Sequence, residues 1–79
     1  MTRYFEIHVT GRNGFSAFVE TDAELPRVFE DAILEAAVKA KVIEGADAKD
    51  VVGGAGYVQE CSLDDLKRDE IKTEQIHAI

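Results

Sequence analysis

The chain has 79 residues, enough for one compact domain spanning 1–79 and too few for two. Aspartate and glutamate outnumber lysine and arginine 16 to 9, for a formal charge of -7. That surplus repels phosphate backbones and anionic lipids, so it argues against direct nucleic-acid binding and against a membrane partner. The same charge attracts basic proteins.

A domain of this size buries only about 60% of the surface its unfolded chain exposes. Its core is thin, and a homodimer or hetero-complex is one way to complete a half-buried face. Cys61 is the one cysteine, so no disulfide forms within the chain. Cys61, His8 and His77 have no zinc-ligand spacing, and neither a metal nor a cofactor is expected. Met1 to Glu6 lack the long apolar stretch of a secretion signal, and no run approaches a membrane span. A reducing cytoplasm is the expected location.

In residues 4–10, Phe5, Ile7 and Val9 alternate with Glu6, His8 and Thr10, the period of a half-buried strand. Gly11-Arg12-Asn13-Gly14 is a turn signal, and residues 15–21 form a second strand. A two-residue Asn13-Gly14 loop would place Glu20 on the apolar face, which costs desolvation. A three-residue loop, Arg12-Asn13-Gly14, pairs Val9 with Ala17, Ile7 with Val19 and Phe5 with Thr21, with Gly14 in the left-handed position. The opposite face then carries Tyr4, His8 and Phe18, with His8 across from Phe18 and Glu6 across from Glu20, an unfavourable like-charge pair. This face is either covered by the C-terminal segment, the preferred reading, or is a recognition surface.

Residues 24–44 have the clearest helical period, with Leu25, Val28, Phe29, Ala32, Ile33, Ala36, Ala37 and Ala40 on one stripe. Pro26 fits a first turn, Asp22 and Glu24 favour a helix start, and Gly45 is the expected stop. Leu34, Val38 and Val42 widen the stripe toward a third strand or a partner. Ala46 to Asp50 read as a polar loop. Val51-Val52 and Tyr57 to Cys61 read as strand, interrupted by Gly53-Gly54-Ala55-Gly56 as a kink, bulge or loop. Ser62-Leu63-Asp64-Asp65 predicts a capped short helix running to about Glu70. Residues 71–79 either extend that helix or, as preferred here, break and return as an edge strand. The fold class is therefore α+β. A small, mainly antiparallel sheet, built from an N-terminal β-hairpin plus one or two further strands, packs against one long amphipathic helix, with a short second helix.

No pattern carries catalysis. The glycine run lacks the lysine and hydroxyl of a phosphate loop. Cys61 and His8 are a nucleophile and base by type, but nothing marks an oxyanion site or an orienting third residue. The pairs Glu30-Asp31, Asp64-Asp65 and Asp69-Glu70 read as solvated faces. Acidic residues nevertheless concentrate at the C-terminus, where Glu60, Asp64, Asp65, Asp69, Glu70 and Glu74 are diluted by Lys67, Arg68 and Lys72. A row of carboxylates imitates the charge spacing of nucleic acid and can occupy a basic groove.

No diagnostic motif assigns a family. In size, acidity and lack of catalytic motifs the chain resembles in kind the small accessory proteins of phages and mobile elements, such as anti-CRISPR inhibitors. The expected function is a non-enzymatic, acidic protein-binding module that inhibits a host nucleic-acid-handling complex. Tyr4, Phe18, Tyr57, Glu60, Asp64, Asp65, Asp69, Glu70 and Glu74 are the expected contacts. The alternative is a structural or regulatory subunit that homodimerises through a sheet edge or a helix face.

Overall fold

The computed structural model describes residues 1–10, 15–54 and 56–79. Strands β1 (Arg3–Val9) and β2 (Phe15–Thr21) are followed by helices α1 (Glu30–Lys39) and α2 (Ala46–Val52). Strand β3 (Gly56–Cys61), helix α3 (Leu63–Arg68), a 3-10 turn at Thr73–Gln75 and strand β4 (Ile76–Ala78) complete the order. One four-stranded sheet results, ordered β3-β1-β2-β4, antiparallel except where β4 runs parallel to β2. The domain is α+β with a mainly antiparallel sheet.

The hairpin puts the expected residues on each face but in a different register. Val9 pairs with Phe15, Ile7 with Ala17, Phe5 with Val19 and Arg3 with Thr21, a shift of two residues from the three-residue-loop pairing. A shift of two preserves the faces, because side chains alternate with period two. It also removes the Glu6–Glu20 opposition: Glu6 now faces Phe18, Glu20 faces Tyr4, and His8 faces Ser16. The expected turn chemistry at Gly11 to Gly14 lies outside the described residues.

Phe5, Ile7, Val9, Ala17 and Val19 are buried against Ile33, Leu34, Ala37, Ile43, Val51 and Val58, and these form one cluster. The long helix expected over 24–44 is shorter, running from Glu30 to Lys39. Pro26 disfavours helical backbone at Leu25, and neither Glu24 nor Leu25 has a side chain suited to capping. The helix begins instead after Phe29, with Glu30 and Asp31 in its first turn. Leu25 and Phe29 still pack on the core, and the Phe29 ring sits 5.2 Å from that of Phe5, whereas Val28 points to solvent.

Gly45 is not the stop of α1. Lys41 takes the left-handed conformation (φ 61), and the N–H groups of Lys41 and Val42 bond the carbonyls of Val38 and Ala37 at 3.1 and 2.9 Å. This is a Schellman closure with lysine where glycine is usual. Gly45 (φ 67) instead precedes α2 as its N-cap. The residues read as a polar loop and a Val51-Val52 strand are helical. Ala48 and Val51, three apart, turn the same side toward the core. Helix α3 starts as the capping box predicts: Asp65 N–H donates to Ser62 Oγ, and Ser62 N–H donates to the Asp65 carboxylate. It ends in a second Schellman closure around a left-handed Glu70 (φ 63).

Both β2 and β3 are antiparallel to β1, so β2, β3 and β4 share one direction. The β2-to-β3 and β3-to-β4 connections cross the sheet in opposite senses. Right-handed crossovers then place α1 and α2 on one face and α3 on the other. Leu66 of α3 is 2% exposed yet stands outside the cluster beneath α1, in keeping with that placement. The C-terminal segment thus partly covers the second sheet face, and its last residues return as an edge strand.

A left-handed non-glycine residue costs about 1–2 kcal/mol. Lys41→Gly and Glu70→Gly should each raise the unfolding free energy by about 0.5–1 kcal/mol, offset in part by glycine's unfolded-state entropy. Ser62→Ala should lower it by about 1 kcal/mol. Urea unfolding of the three variants checks all three signs.

Candidate functional site

The second sheet face, opposite α1, is the candidate surface. Alternation puts Tyr4, Glu6 and His8 of β1 there, beside Ser16, Phe18 and Glu20 of β2. Antiparallel pairing brings in β3, setting Tyr57 against His8, Gln59 against Glu6 and Cys61 against Tyr4. At one end the His8 and Tyr57 rings stack with centroids 4.7 Å apart and planes 17° apart. His8 Nε2 lies 3.2 Å from Glu6 Oε1, and Nδ1 lies 3.3 Å from Ser16 Oγ. A neutral ring protonated at Nε2 satisfies both contacts, donating to Glu6 and accepting from Ser16. These contacts fix the ring that supports Tyr57, which remains 47% exposed.

At the other end α3 leans over the corner where β3 finishes. Glu6, Gln59, Cys61, Asp65 and Asp69 line a cavity of about 210 Å³, with Glu60 and Arg68 on its margin. Cys61 reports the field there. Burial raises its thiol pKa, and the carboxylates of Glu6, Asp65, Glu60 and Asp69 raise it further by repelling the thiolate.

Three of those carboxylates are engaged, Glu6 by His8 Nε2. Arg3 grips Glu60 bidentately, at 2.9 and 2.8 Å, while its guanidinium lies over the Phe5 and Phe29 rings at 5.2 and 5.4 Å. That hydrogen bonding holds the Glu60 carboxyl below its ordinary pKa. Asp65 is also lowered, first by the Ser62 N–H it accepts in the capping box, with Arg68 adding to the effect at 2.8 Å. Among the described residues no such partner is seen for Asp69.

The expected contact residues therefore divide. Tyr57 is exposed, and Tyr4 and Phe18 are half-buried on the same face. Asp64 and Asp65 ride on α3, and Asp69 and Glu70 close it. Glu74, in the 3-10 turn, borders a separate cleft near Phe18 and His77. Glu60 falls on the opposite parity, paired with Phe5, and is bound by Arg3. Glu6, His8, Ser16 and Gln59 belong to the surface although the sequence did not mark them as contacts. Ser16 joins Glu6 and His8 through the hairpin, and only the pairing of β1 with β3, which nothing local announces, brings in Gln59. Cys61 and His8 stand four residues apart in register, about 13 Å at strand rise, and so cannot act as a nucleophile and base. Among the described residues no group of three metal-ligating side chains converges, and no helix is long and apolar enough to cross a membrane.

Cys61 should react with iodoacetamide on a pH profile displaced above that of an ordinary thiol. Glu6→Gln with Asp69→Asn should move the midpoint down, as should added salt, by relieving thiolate repulsion. An unchanged midpoint would show that burial alone sets it. No family model matches the chain, and no similar curated protein or solved structure was found.

Proposed function

We propose that this chain is a non-enzymatic acidic binding protein whose partner is a protein with a basic surface. Inhibition of a nucleic-acid-handling complex, in the manner of small phage and mobile-element accessory proteins such as anti-CRISPR inhibitors, is the activity that fits it best. The observation that carries this reading is that Glu6, Asp65 and Asp69 line one cavity with Cys61, on the sheet face that presents the exposed Tyr57. Clustered carboxylates steer a basic partner and speed its encounter. An immobilised aromatic supplies affinity at small entropic cost. Arg3 and Arg68 interrupt the acidic row, so the patch suits a focal basic site better than a long nucleic-acid groove.

A second reading, a homodimer through α1, has its own support. A groove of about 460 Å³ is floored by Leu34, Val38 and Val51 and rimmed by Asp31, Glu35 and Lys39. Two antiparallel copies of α1 would set Lys39 of each beside Asp31 and Glu35 of the other. Light scattering separates the two readings, since the first expects a monomer and the second a dimer that persists in high salt.

For the leading reading, capture of host proteins at low and high salt should yield a basic protein whose binding weakens as salt rises. Against that protein, Tyr57→Ala should reduce affinity at least about tenfold. Asp69→Asn with Asp64→Asn should chiefly slow association. Capture that ignores salt and all three substitutions would sink the proposal.

A further inference from the structure

Strand β3 lies at the end of the sheet, paired on one side only, with β1. Among the described residues, no backbone group of Gly56 to Cys61 bonds to a chain segment beyond β1. Six residues of edge are long for an unguarded strand, and such an edge is a template for an added strand. Its two sides differ in chemistry. On the second face it presents Tyr57, Gln59 and Cys61, beside the carboxylates of Glu6, Asp65 and Asp69. On the first face Gly56 has no side chain, and Leu34 Cδ2 and Val51 Cγ2 lie 3.8 and 3.4 Å from where its Cβ would stand. Leu34 and Val51 are also the floor of the apolar groove beside α1.

We infer that the outer edge of β3 receives an extended segment of the partner as a fifth strand, with basic and apolar side chains in alternation. This rests on the basic-partner reading above and specifies its mode. Alternate side chains of an added strand point to opposite faces. The basic set meets the acidic corner on the second face, and the apolar set meets Leu34 and Val51 beside Gly56 on the first. Main-chain bonds to β3 supply affinity independent of sequence, and the two side-chain rows supply selection. A second copy of this chain is a poorer occupant, because each copy carries a charge of -7.

The probe is a fluorescein-labelled octapeptide of alternating lysine and valine, titrated by anisotropy into the intact protein. Binding is expected, with slowed hydrogen exchange at alternate amides of Gly56 to Cys61. Two N-methylated versions, methylated at odd or at even residues, separate main-chain pairing from charge attraction. One phase should lose at least about tenfold in affinity and the other should keep it, because only alternate N–H groups face β3. Glu6→Gln with Asp69→Asn should weaken the lysine–valine peptide and leave a threonine–valine peptide unchanged. Equal binding by both methylated phases, or β3 amides that exchange as before, overturns the added strand while leaving a side-chain-mediated basic partner intact. A dimer in which the β3 amides are already protected in the free protein also overturns it. If neither the peptide nor any basic protein binds, the added strand and the basic-partner reading fail together.

Discussion

Strand β1 is bonded along both edges, to β2 and to β3, and the rest of the molecule depends on that double pairing. Its alternation of Phe5, Ile7 and Val9 with Tyr4, Glu6 and His8 imposes two unlike faces on its neighbours. Apolar side chains from all three strands meet α1 and α2 on one side. Aromatic, acidic and hydroxyl groups are collected on the other, where a satisfied hydrogen-bond arrangement around His8 replaces a packed core. The domain is too small to cover both faces with helix. Its single short helix on the second side shields one corner and leaves the Tyr57 end exposed.

Carboxylates lie on both sides of the sheet, with Glu30, Asp31 and Glu35 on α1 and Asp64 and Asp65 on α3. On the second face Glu6, Asp65 and Asp69 share one cavity with Cys61 although they come from distant parts of the chain. Arg3 grips Glu60, which also lines that cavity, and lies over the Phe5 and Phe29 rings, so it joins the acidic corner to the core. Weakening that guanidinium contact would disturb both faces at once.

Local chemistry explains what could be read from sequence and what could not. The hairpin faces follow from period-two alternation, and the start of α3 follows from Ser62 and Asp65, three residues apart. Both signals are short-range and both are realised. The hairpin register depends on pair energies across strands, and the observed register relieves the opposition of Glu6 and Glu20. Helix α1 was overextended because Leu25 and Phe29 do face the core, only from non-helical backbone. Helix α2 was missed because Val51-Val52 has β-branched composition and just one turn of apolar spacing. The Arg3–Glu60 pair and the His8–Tyr57 stack join residues separated by most of the chain, where no local pattern reaches.

The strand order has a kinetic meaning. Ile7 pairs with Val58, 51 positions away (58 − 7), and Phe18 pairs with Ile76, 58 positions away (76 − 18). The first strands made are thus each completed by one of the last. Closing such loops costs entropy before their contacts repay it, which places the chain among slow-folding topologies for its length. On the ribosome the hairpin and α1 would emerge with two open edges and wait for β3 and β4. During synthesis, then, the nascent domain is exposed to mispairing until β3 and β4 have been made and paired.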